Sequence, residues 1–206
     1  MSDAADNGDV VEPGSTNRQQ DLRAADFTVA SSKVTHEGML TTLRVDTVRM
    51  PDGEAVEREI AQRPNAVAMV PLTDDGEVIL VRQYRHAVGA HELEIPAGLL
   101  DVDGEPEEDA AQRELAEEIG ATAGTLRRLI RFHNSSGWSD EATIVFSATD
   151  LTEATAPDGF VAEGEEAAMT VVRMPLDDAV AAVHRNEITD AKTVIGLLLV
   201  ATAAGS

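Results

Sequence analysis

The chain has 206 residues, 43% of them hydrophobic and 26% charged, the composition of one globular domain with at most a small extension. Sixteen Lys and Arg stand against 38 Asp and Glu, and the resulting charge of −22 argues against nucleic-acid or anionic-membrane binding, which need positive patches. Cysteine is absent, which removes disulfide frameworks, thiol nucleophiles and cysteine-ligated metal sites. No segment reaches the roughly 20 apolar residues of a membrane helix. No charged-then-apolar leader opens the chain. The expectation is a soluble, cytoplasmic protein with no membrane or nucleic-acid partner.

Residues 1–26 carry few large apolar side chains and are expected to form a disordered acidic tail. Strand-like runs follow at 27–35, 40–50 and 55–62, the last two joined by Pro51-Asp52-Gly53-Glu54, where Pro presets φ and Gly tolerates a positive one. Runs at 66–72 and 77–84 flank the hairpin signal Thr73-Asp74-Asp75-Gly76. A short strand is predicted at 92–97. The first long helix is predicted over 106–119 with Gly120 as its stop. Strands at 126–132, 142–148 and 169–174 come next. Pro175 then opens a helix to about residue 185, and a final helix covers 190–203. Strands outnumber helices and mix with them, so the class is α+β.

Residues 101–120 hold nine acids against one base, Arg113. Glu114 lies i,i+3 from Glu117 and i,i+4 from Glu118, so all three carboxylates leave one side of the predicted helix. Like charges at that spacing repel, and a helix that keeps them either loses stability or holds cations between them. Carboxylate oxygens are the donors that hard divalent cations take, Mg²⁺ above all. The other face, with Ala110, Ala111, Leu115 and Ile119, is apolar and can bury.

The run from Gly98 through Glu105, Arg113-Glu114-Leu115, Glu117-Glu118 and Gly120-Ala121 resembles the Nudix box, G-x5-E-x7-R-E-U-x-E-E-x-G-U with U aliphatic. Every defined position from Glu105 onward matches. Gly98 stands one residue further from Glu105 than the pattern has it, an insertion in a loop. The resemblance implies the Nudix fold, a mixed sheet sandwiched between helices, and metal-dependent hydrolysis of nucleoside diphosphates linked to another moiety. It implies Mg²⁺, with Mn²⁺ as an alternative, on Glu114, Glu118 and Glu117 and on the backbone carbonyl of Ala97. Glu105 and Arg113 would pair to hold the helix in place. Cations at such a site neutralise the pyrophosphate and reverse the local sign of an acidic protein.

Further segments narrow the resemblance to the ADP-ribose pyrophosphatases and related nucleotide-sugar hydrolases. They are Glu94-Ile95-Pro96-Ala97-Gly98, Arg58-Glu59-Ile60 and Arg82-Gln83-Tyr84-Arg85-His86. That group implies three parts: the tail 1–26, an N-terminal antiparallel β extension at 27–63 exchanged across a homodimer, and a catalytic domain at 64–206. Arg58 and Arg85 would contact substrate, as planar bidentate donors suit phosphate. Leu99 would line the terminal ribose pocket. Glu141, in the loop Ser135-Ser136-Gly137-Trp138-Ser139-Asp140-Glu141, would reach a ribose hydroxyl. The general base would come from 162–170, with Glu166 first, Glu165 second and Glu163 third. Relatives stack an aromatic residue on adenine from the second N-terminal strand, where this chain has Leu40-Thr41-Thr42-Leu43. The implied activity is hydrolysis of ADP-ribose to AMP and ribose 5-phosphate. Other nucleoside diphosphate sugars (ADP-glucose, GDP-mannose) and a non-hydrolysing ligand sensor are the alternatives.

Overall fold

The structure is a computed structural model that describes residues 27–157, 159, 161, 164 and 166–204. The tail expected at 1–26 lies outside the described residues, as do Glu163 and Glu165. Strands β1 (Thr28–Glu37), β2 (Thr42–Arg49) and β3 (Ala55–Gln62) form an antiparallel meander of their own. Its β2–β3 turn is the one expected, with Gly53 at φ +89° and the Gly53 N–H donating to the Met50 carbonyl. The tip of β3 meets the loop before Glu141: Ala61 N–H donates to the Trp138 carbonyl, and Asp140 N–H donates to the Ala61 carbonyl.

A mixed sheet carries the rest of the architecture. It contains β4 (Ala66–Pro71), β7 (Ala97–Leu99), β8 (Ala121–His133) and β9 (Ala142–Glu153) in the order β7-β4-β9-β8, with β4 and β9 parallel. A second antiparallel sheet has β5 (Glu77–Arg85) between β10 (Thr170–Pro175) and β6 (Ala90–Glu94). Among the described residues three α-helices complete the fold: α1 (Glu107–Ile119), α2 (Leu176–His184) and α3 (Ala191–Ala204). Alternation along β4 divides the core, because successive side chains leave opposite faces of a strand. Val67 and Met69 pack with Ala110, Ala111 and Leu115 of α1. Ala68 and Val70 pack with Ile95, with Ala179 of α2 and with Leu197 of α3. The mixed sheet is thus sandwiched between helices, in the α+β arrangement that the resemblance implies.

Two expectations need correction. The single strand read at 92–97 is two strands in two different sheets. Pro96 has no N–H for a ladder bond, so β6 ends at Glu94 and the chain crosses to β7. The Pro96 carbonyl accepts instead from Met69 N–H at 2.9 Å. The strands read at 126–132 and 142–148 are longer, and their extra residues pair with one another, from Ala121 opposite Glu153 to Thr125 opposite Thr149. Small and polar residues there show no apolar alternation to read. Gly124 permits the close crossing, since a Cβ on it would stand 2.9 Å from that of Asp150.

Candidate active site

Helix α1 begins with Glu107, Glu108 and Asp109 in its first turn, where carboxylates meet the positive end of the helix dipole. It ends at Gly120 with φ +64°, whose N–H donates to the Leu115 carbonyl. Its apolar face is fixed against the sheet, and Gln112 clamps it to β8. The Gln112 side-chain amide donates to the Ala123 carbonyl at 2.7 Å and accepts from Ala123 N–H at 2.9 Å. With that face committed, Glu114, Glu117 and Glu118 can only point the other way, into a cavity of about 1260 Å³.

Arg113 relieves the repulsion that the sequence pattern implies. Its Nε and Nη2 donate to the two Glu105 carboxylate oxygens at 3.1 and 3.0 Å, a bidentate pair that ties the preceding loop to the helix. Its Nη1 donates to Glu114 at 2.6 Å and to Glu117 at 3.3 Å. These hydrogen bonds hold the Glu105 carboxyl below the usual carboxylate range and push the guanidinium further up. Glu118 accepts from Ala97 N–H at 2.9 Å. Burial pushes its carboxyl up to about 8, against that hydrogen bond and with the help of neighbouring Glu114.

The opposite wall is β7 and the segment before it. Ala97, Gly98 and Leu99 line the cavity, and Gly98 is in contact with the helix acids. A Cβ on residue 98 would fall 1.9 Å from the Glu114 carboxyl carbon, so any larger residue there displaces that carboxylate. Arg85 and Glu141 also line the cavity. So does Gly164. Backbone at Glu166–Ala168 forms a 3₁₀ turn, and the Glu166 side chain lies outside the described parts of the chain.

Arg58 is not on this wall. It is exposed on β3, and its guanidinium donates to the carbonyl of its neighbour Glu57. Arg63, which sequence reading passed over, lines the cavity and stands 3.9 Å from the Glu141 carboxylate. Asp190 and Lys192 were also passed over, and Glu94 was read only as part of the Glu94-Ile95-Pro96-Ala97-Gly98 segment; the three sit around Arg85 at the cavity's edge. Met39 and Leu40 also line the cavity.

The donor chemistry suits a hard divalent cation. Three carboxylates from one helix face a strand backbone, with no sulfur or imidazole among them. Among the described residues no three acids already form a cation-binding cluster; Arg113 bridges Glu114 and Glu117, and Glu118 accepts from the Ala97 N–H. A cation would take over both roles, and it would remove the cost of burying Glu118 beside Glu114.

Comparison with known proteins agrees with this geometry. A family model described as the NUDIX domain matches residues 62–195. An ADP-ribose pyrophosphatase of Mycobacterium tuberculosis (strain ATCC 25618 / H37Rv) is 43% identical over 175 residues, covering 85% of this chain and 83% of the relative. A second ADP-ribose pyrophosphatase, of Bacillus subtilis (strain 168), is 36% identical over 170 residues, covering 82% and 89%. A solved structure described as an ADP compounds hydrolase superposes with a TM-score of 0.75 at 27% identity, covering 86% of this chain and 93% of the other. Since the family model spans well over half of its length, the chain belongs to the Nudix hydrolase family.

Proposed function

We propose that this protein hydrolyses ADP-ribose to AMP and ribose 5-phosphate. The observation that carries the reading is the convergence of Glu114, Glu117 and Glu118 on a cavity whose facing wall is the Ala97–Leu99 backbone. Those three carboxylates and the Ala97 carbonyl oxygen would hold Mg²⁺, or Mn²⁺ in its place. A divalent cation bound there neutralises the pyrophosphate and acidifies a water.

The chain's own residues do the rest. Glu105 holds Arg113, and Arg113 keeps the carboxylates of the helix in register. Arg85 offers its guanidinium to the diphosphate, and Leu99 and Glu141 bound the terminal ribose. Glu166 takes the proton of the attacking water, with Glu165 and then Glu163 next in order. The position of Gly164 on the cavity wall supports a base from this segment. The water oxygen joins one phosphorus as the bridging P–O bond breaks, and the released bridging oxygen stays on the other phosphate.

The meander β1–β3 serves as a dimerisation extension, with 27–63 as its bounds and 64–206 as the catalytic part. Its support is β1, exposed along its whole length with Val29 and Val34 uncovered. Arg58 then reaches substrate only across a homodimer. Among the described residues no helix is long and apolar enough to cross a membrane, and a cytoplasmic location goes with the reading.

One observation favours a second reading. Aliphatic Met39 and Leu40 at the rim offer no stacking partner for adenine, which fits a nucleoside diphosphate sugar with another base or sugar. Initial rates with Mg²⁺ on ADP-ribose, ADP-glucose, GDP-mannose and NADH separate the two. A clear preference for ADP-ribose supports the first, and a preference for another sugar nucleotide moves the protein to the second. Tight binding without cleavage of any would make it a sensor and overturn both.

A further inference from the structure

Around Arg85 the described structure holds an ion network whose other members the reaction scheme above does not use. Glu94 is the last residue of β6 and is only 1% exposed. Its two carboxylate oxygens accept from Arg85, Nε at 2.7 Å and Nη2 at 2.6 Å. Lys192 Nζ, from the first turn of α3, makes a close ion pair with the same carboxylate. Asp190 accepts from Lys192 at 3.0 Å and from both the N–H and the hydroxyl of Thr193. The Thr193 hydroxyl oxygen accepts in turn from Ile95 N–H at 2.9 Å. Two residues that precede the Pro96 crossing are thereby stitched to the start of α3, 98 positions away in sequence.

The charges have a direction. Burial disfavours an ionised Glu94, but hydrogen bonds from Arg85 and the charge of Lys192 outweigh it and hold the carboxyl below its usual range. Glu94 is therefore a fixed anion, and it anchors one end of each cation. Arg85 and Lys192 both line the cavity, and both lie within electrostatic reach of Glu118. Bidentate pairing uses one edge of the Arg85 guanidinium, and among the described residues no hydrogen bond engages Nη1. Lys192 has three donors, of which Glu94 and Asp190 take two. A brace that only tied α3 to the sheet would not need two cations facing the cavity. In a protein of charge −22, one of only two lysines is thus placed at this cavity.

We propose that Lys192 is a second diphosphate-binding cation beside Arg85, and that Glu94 is the positioning residue that aims both. The inference rests on the pyrophosphatase reading above and deepens it.

The test compares Lys192→Met, Lys192→Arg and Glu94→Gln with the unaltered protein. Three quantities are read: KM and kcat for ADP-ribose, the dissociation constant for ADP by calorimetry, and the thermal midpoint. Lys192→Met is expected to raise both KM and the ADP dissociation constant about tenfold, the range for a lost hydrogen bond to a charged group. Its kcat should stay within about threefold, because the contact is made in ground and transition states alike. Lys192→Arg should recover most of the affinity. Glu94→Gln should weaken ADP as well, and its effect should shrink in the Lys192→Met background, since the two act through one contact. Should Lys192→Met fail to fold, Lys192→Gln carries the same expectation. Unchanged KM and unchanged ADP affinity, with only the thermal midpoint lowered, would overturn the proposal and leave a structural brace. If the unaltered protein binds ADP but cleaves no ADP-ribose, the pyrophosphatase reading alone falls. If it binds no ADP, the proposal falls too.

Discussion

The carboxylate of Glu114 rests against Gly98, so closely that a Cβ on residue 98 would fall 1.9 Å from its carboxyl carbon. Residue 98 belongs to β7 and Glu114 to α1, so the contact sets the distance between the two walls of the cavity. Gly98→Ala must push the carboxylate aside, because the obstructing atoms belong to a charged group that Arg113 also holds. The expected result is a loss of about 100-fold in kcat/KM, the scale of a misplacement of about 1 Å. The far-ultraviolet spectrum should stay unchanged. Kinetics within about twofold of the unaltered enzyme would mean that this contact plays no part in the chemistry.

Burial pushes the Glu118 carboxyl up to about 8, so its charge is costly to hold without a cation beside it. Glu118→Gln keeps the shape and the acceptor for Ala97 N–H, and removes the charge. Turnover should fall by more than the roughly 100-fold typical of groups that merely support a metal ligand. The fold should survive, and the Mg²⁺ concentration for half-maximal rate should rise. A variant that turns over at the original rate would remove Glu118 from the metal site.

The Glu105–Arg113 pair sets a pH dependence whose sign follows from its geometry. Hydrogen bonds from Arg113 hold the folded Glu105 carboxyl below its usual 4.5. A lowered folded value means stability that is fully present above the unfolded value and lost as pH falls through the folded one. Thermal midpoints of the unaltered protein and Glu105→Gln should therefore differ at neutral pH and converge as pH drops below about 4.5. A gap of constant size down to acid pH would show that the pair's contribution is not ionic.

Arg58 provides a test of the dimer. It is exposed on β3 and makes its described hydrogen bond only to the adjacent Glu57 carbonyl. Arg58→Ala should raise KM for ADP-ribose more than it lowers kcat if a second copy brings it to the substrate. Sedimentation should give twice the chain mass for the active species. A monomeric active enzyme with unchanged KM would return Arg58 to the solvated surface.

The parts legible in the sequence were those written in short-range spacing. Helix α1, its αL stop at Gly120 and the shared side of Glu114, Glu117 and Glu118 follow from a period of 3.6 and one glycine. The Arg113–Glu105 pair, eight positions apart within one motif, was what the resemblance implied. Contacts across long separations were not legible. Glu94 and Lys192 meet only because β6 and α3 pack at one edge of the cavity, and nothing local to either residue encodes the other. The scarcity of lysine was the one available signal. The break at Pro96 was readable in principle from its missing N–H, but the short apolar run around it looks like one strand. The β8–β9 extension escaped because Ala, Thr and Gly give no alternation until a partner strand supplies it.

Cleavage of ADP-ribose in ¹⁸O-labelled water with Mg²⁺, read by mass spectrometry of the products, tests the central claim most directly. The account predicts AMP and ribose 5-phosphate in equal amounts, with a single ¹⁸O on a phosphate of one of them. Label on a ribose hydroxyl, release of free adenine, or an equal rate after chelation of the metal would contradict it.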